Sequence, residues 1–210
     1  VTFNQELAHR KKRTLFVNFF IIFGTWLPFV VISIWSNSIT LIAQMLMGGA
    51  QSLSVYLSLK TTREAYKKKE ELMQKEINNA RIMMAVFLIS FVVVLFIAFK
   101  RFFEPKELDY FASMLGLAGN LIAVFVNMYQ WRKNHKISKQ AFSPLMESQW
   151  TLFRIKTFTT MTAVASILIY FFTPESGIHD YIDPLFSISL AVLILYSAYL
   201  LFQKAKFVKE

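Results

Sequence analysis

Apolar residues fall in six long runs along this chain, separated by short polar and basic stretches. A hydrocarbon core about 30 Å thick takes roughly 20 helical residues to cross. Runs of that length lie at 14–35, 38–60, 80–100, 109–131, 146–172 and 183–203. The pattern therefore predicts an all-α membrane protein with six transmembrane helices, in one transmembrane domain over 1–210. The fifth run reads as the most polar, with Thr151, Arg154, Lys156, Thr157, Thr159, Thr160 and Thr162, which is expected of a helix at the centre of a bundle. Asp183-Pro184 reads as an N-cap followed by proline in the first turn of the sixth helix.

Two of the runs begin on one frame. From Ser38 the spacing is Ser38-x2-Leu41-x2-Gln44-x2-Met47-x3-Gln51; from Ser143 it is Ser143-x2-Met146-x2-Gln149-x2-Leu152-x3-Lys156. Corresponding interruptions in two halves point to the central site of a transporter. Both frames place their last two positions at equal depths from opposite ends, at about 1.5 Å per residue. Antiparallel packing then brings Lys156 level with Met47, and Leu152 level with Gln51. Gln149, Leu152 and Lys156 share one helical face, while Arg154 points away toward Glu147 and Trp150. Gly48 and Gly49 read as a close-approach surface for a neighbouring helix.

Charge fixes the expected orientation. Eighteen Lys and Arg lie before the first run, in the second and fourth connections and after the sixth run, against three on the other side. The positive-inside rule puts both termini in the cytoplasm of a cell-membrane protein, with two inverted three-helix halves. The net charge of +10 thus belongs to membrane topology and implies no nucleic acid. The basic connection at 61–78 carries Glu64/Lys68 and Glu71/Lys75 at helical i, i+4 spacing, which reads as a solvated extension near anionic lipid. There is no cysteine, hence no disulfide framework and no thiolate metal site. His9, His135 and His179 read as surface residues of termini and loops. No nucleophile–base pair or phosphate loop is present, so the chain does not read as an enzyme. The first residue is Val, as expected of a trimmed chain.

Four segments resemble the cation diffusion facilitator (cation efflux) family. SNSITLIAQ at Ser36–Gln44 is similar to the start of its second helix, and RFFEP at Arg101–Pro105 to its loop before the fourth. GNLIAVFVN at Gly119–Asn127 is similar to its fourth helix, and YIDPLFSISLAVLILYSAYLLF at Tyr181–Phe202 to its sixth. The resemblance implies a cation-efflux-type bundle, a homodimer in the lipid bilayer, and exchange of divalent cations for protons. It implies no cofactor, the metal ion being substrate. A soluble cytoplasmic domain often follows the sixth helix in that family and is absent from, or not included in, this sequence. The family holds its ion with His or Asp followed four residues later by Asp, on helices two and five. Those positions fall here on Met47, Gln51, Leu152 and Lys156, and Gln44 and Gln149 stand where many members have a further acid. No intact metal site is therefore expected.

The residues make the same point alone, since no acid lies mid-span: Asp109 and Asp183 are at outer ends and Glu147 at an inner one. A divalent ion 4–6 Å from a lysine ammonium is repelled by about 6–8 kcal/mol at an effective dielectric near 20. Four readings stay open. Lys156 fills the ion position and hydrogen-bonds Gln44 or Gln51 in a non-transporting, structural or regulatory subunit. Or the chain still moves a cation, with a lysine that sheds its proton as the coupling element. Or Lys156 and Arg154 attract an anion or anionic metabolite. Or the frame is fortuitous and the charges pack in a dimer interface.

Overall fold

The computed structural model describes residues 3–64, 69–140, 144–173 and 178–207. These form six helices: α1 (Phe3–Trp35), α2 (Ile39–Glu64), α3 (Lys69–Phe103), α4 (Tyr110–Gln140), α5 (Pro144–Phe172) and α6 (His179–Phe207). Each contacts the helix three places on, α1 with α4, α2 with α5 and α3 with α6; α3 packs most extensively on α6, and α4 on α5. Outward faces carry large apolar side chains such as Phe96, Ile122, Phe125 and Phe172, the arrangement a lipid solvent favours. Among the described residues, five helices hold a continuous apolar segment long enough to cross a membrane: Arg13–Trp35, Ile77–Phe103, Tyr110–Lys139, Gln149–Phe172 and His179–Leu200.

The helix lacking such a segment is α2, which corrects the expectation that α5 is the most polar. Thr40, Gln51, Ser52, Ser54 and Ser58 are all buried on it. It can carry them because it touches α1, α3, α5 and α6, so little of it faces outward.

The junction of α1 and α2 is a tight turn at Asn37, whose φ of 57° is left-handed, a conformation that asparagine tolerates. Ser38 then caps α2 by accepting from the Leu41 N–H at 3.2 Å. A second cap comes from far along the chain. The Asp183 carboxylate accepts from the Ile39 N–H at 2.7 Å, the Thr40 N–H at 3.2 Å and the Ser38 hydroxyl at 2.8 Å. This overturns the reading of Asp183 as the N-cap of α6, which begins four residues earlier at His179. The first N–H groups of a helix lack intrahelical partners, and a buried carboxylate is well suited to them. Thr40 also meets Ser187 and Ser166 hydroxyls at 3.1 and 3.4 Å, which knits α2, α5 and α6 together at this end. Asp109 caps α4 through the Ala112 N–H at 2.8 Å, and Arg101 donates to the Asn37 and Lys106 carbonyls at 2.8 and 3.1 Å.

The histidines also depart from expectation. His135 lies within α4, its ring 4.8 Å from that of Trp150, and His179 packs on Tyr170 at 3.9 Å. His9 and Glu147 lie outside the described side chains.

Candidate functional site

Helices α1, α2, α4 and α5 line a half-open cavity of about 340 Å³, with Gly24, Thr25 and Ile122 exposed at its mouth. Its walls include Gly24, Thr25, Trp26 and Pro28 of α1, Gln44, Met47 and Gly48 of α2, Asn120 and Asn127 of α4, and Lys156, Thr159 and Thr160 of α5. Lys156 is the one ionisable side chain among these walls. No hydrogen bond or ion pair engages its Nζ among the described residues. Among them, too, no three of His, Cys, Asp or Glu come together as metal ligands.

Small residues make room for the site. Trp26 lies against Gly48 and Gly49, where an added Cβ would fall 2.9 and 3.2 Å from the indole, and its Nε1 donates to the Met45 carbonyl at 2.8 Å. The glycine pair thus admits a wall of the cavity. Gly24 and Gly119, on facing walls, have open space at the Cβ position.

The polar walls are rich in oxygen acceptors. Gln44 donates its Nε2 to the Thr159 carbonyl at 3.0 Å, which leaves the amide oxygen as an acceptor. Asn127 spends its Nδ2 on the Thr160 hydroxyl at 3.5 Å, and so keeps its oxygen. Both threonine hydroxyls donate to the Lys156 carbonyl, at 3.0 and 2.7 Å, and retain lone pairs. Pro28 has no N–H to give to the Gly24 carbonyl one turn earlier, which adds another acceptor.

The six residues singled out by the repeated frame are only partly brought together. Gln44, Met47 and Lys156 line the cavity. The Gln44–Thr159 bond at one end, and Gln149 Nε2 donating to Ser58 at 3.4 Å toward the other, run α2 antiparallel to α5 with Met47 opposite Lys156. Leu152 packs away from the cavity, in an apolar core with Met47, Phe87, Ile155 and Leu190. Gln51 and Gln149 are buried toward the basic end of the bundle, outside the cavity walls. Lys156 bonds neither Gln44 nor Gln51, in contrast to the tether expected of a plugged site. Arg154 lies over the Trp150 ring, 5.5 Å from its centroid, away from the cavity. The frame missed Asn120 and Asn127 altogether. Their heptad spacing on one face of an apolar helix is the signal that would have found them.

A family model for the cation efflux transmembrane domain matches residues 15–208, nearly the whole chain. The chain belongs to the cation efflux family. It is accordingly a multi-pass membrane protein of a transporter family and not of an enzyme family. Among curated proteins none matches it by sequence. Within the cation efflux fold, the ionisable group presented to this cavity is the Lys156 amine, at one of the four positions on which the resemblance places the family's ion ligands.

Proposed function

We propose that this chain is a proton-coupled cation carrier in which Lys156 holds the exchanged proton. It would span the membrane six times with both ends in the cytoplasm, and work as a dimer as is typical of the family. The observation that carries the reading is an amine with no bonded partner among the described residues, facing a cavity that also presents the free oxygens of Gln44 and Asn127 and one unpartnered donor, Asn120 Nδ2. Protonated, Lys156 repels a cation from the cavity. Deprotonated, it offers a nitrogen lone pair beside the oxygens of Gln44, Asn127, Thr159 and Thr160. Proton and cation then exclude each other, which is the requirement for exchange. One charge replacing one charge leaves the cavity electrostatically unchanged, so a monovalent cation is favoured over a divalent one.

The test is flux into proteoliposomes under an imposed proton gradient, with sodium, potassium, zinc, manganese, iron(II) and cobalt each offered in turn. Wild type is expected to exchange a monovalent cation for protons, and Lys156→Met to abolish that exchange. If wild type moves nothing while Lys156→Asp binds or moves a divalent cation, the lysine is a plug and the chain is a non-transporting subunit. Uptake of anions that requires Lys156 would replace cation exchange by anion transport.

A further inference from the structure

Between the cavity and the basic end of the bundle, each of the four cavity helices carries a buried amide. These are Asn18 on α1, Gln51 on α2, Gln130 and Asn134 on α4, and Gln149 on α5. Each lies one to two turns toward the basic end from a cavity residue on its own helix: Ile22, Met47, Asn127 and Lys156. Asn18 donates to Asn134 at 3.3 Å, and Gln149 to Ser58 at 3.4 Å. Six of their polar atoms have no partner among the described residues: Asn18 Oδ1, both polar atoms of Gln51, Gln130 Oε1, Asn134 Nδ2 and Gln149 Oε1.

On α4 these residues continue a stripe that starts in the cavity. Asn120, Asn127, Gln130, Asn134 and Ser138 are all buried, and their spacing keeps them on one face. The stripe spans about 27 Å at 1.5 Å per residue, nearly the thickness of the hydrocarbon core. Packing of α4 on α5 pairs Asn127 with Thr160 and His135 with Trp150, which sets Gln130 level with Lys156.

Buried polar groups in membranes are satisfied by protein or by water. Orphaned donors and acceptors at neighbouring depths on four packed helices make the kind of polar, multi-partner setting that buried water occupies. We propose that these amides line a file of bound water joining the Lys156 cavity to the basic end of the bundle, the route by which Lys156 exchanges protons with that side of the membrane. The step is a simple transfer: a hydronium in the file gives its proton to the Nζ lone pair and becomes water, and the reverse transfer releases it. The proton role rests on the carrier reading above; the water does not.

The experiment is X-ray radiolysis of the full chain in lipid nanodiscs, in which hydroxyl radicals form from bound water and oxidise adjacent side chains. Phe153 and Phe87 are both completely buried, but Phe153 packs with Leu15 and Val55 on α5 between Gln149 and Lys156, at the depth of the amides, whereas Phe87 lies in the core on α3. Phe153 is expected to oxidise severalfold faster than Phe87, and Gln51→Leu with Gln130→Leu to reduce it to the Phe87 level. Equal, low oxidation of both in wild type overturns the water file. Should the double variant misfold, Gln130→Leu alone carries the same comparison. Radiolysis reads water and not transport: oxidised Phe153 without flux overturns the carrier reading alone, and flux with unreactive Phe153 overturns the file alone.

Discussion

At the scale of single residues, Asp183 and Gly48 carry the clearest mechanical duties. Asp183 accepts from two N–H groups and a hydroxyl in a buried setting, so Asp183→Ala orphans all three donors at once. Each unsatisfied buried donor costs about 1–3 kcal/mol. Thermal unfolding in detergent should therefore show a large loss for Asp183→Ala and a smaller one for Asp183→Asn, which keeps one acceptor oxygen. Gly48→Ala sets a methyl 2.9 Å from Trp26 Cδ1 and displaces the indole from the Met45 carbonyl, whereas a methyl at Gly119 meets nothing within 4 Å. The same melting assay should register the first substitution clearly and the second hardly at all.

Among the elements, the six helices were legible because each is an apolar run bounded by polar residues, but their ends and ranking were not. Asp183-Pro184 has the local signature of a helix start, yet its carboxylate is drawn to α2 by a contact 145 residues away, which no window along the chain can contain. The polarity of α2 likewise depends on neighbours on several sides. For the site, the repeated frame located Met47 and Lys156 because depth along a helix is encoded in residue count. It did not separate Leu152, which the rotation of α5 sends into the apolar core. The contribution of α4 was hidden because amides scattered in an apolar run look like ordinary polar positions until a second helix shows which face is inside. One prediction belongs to this scale. Gln44→Leu removes the side-chain bond between α2 and α5 beside the cavity. Its loss should raise the exchange rate of backbone amides around Thr159 more than around Phe172, as read by hydrogen–deuterium exchange.

For the whole molecule, orientation is the property most directly open to measurement, since the chain has no cysteine of its own. A membrane-impermeant thiol reagent applied outside intact cells should modify a cysteine introduced at Lys106 and leave one at Lys136 untouched. The opposite result would invert the topology and, with it, the direction in which the basic end opens.

The clasp of Asp183 on α2 also bears on how the chain is made. The helix least able to partition into lipid by its own composition has its first turn completed by α6, which leaves the ribosome well after it. During synthesis α2 must wait, its first turn incomplete, until α6 arrives. Chains that stop short of α6 should accordingly be recognised by membrane quality control and degraded, even though α1 to α5 are complete in them.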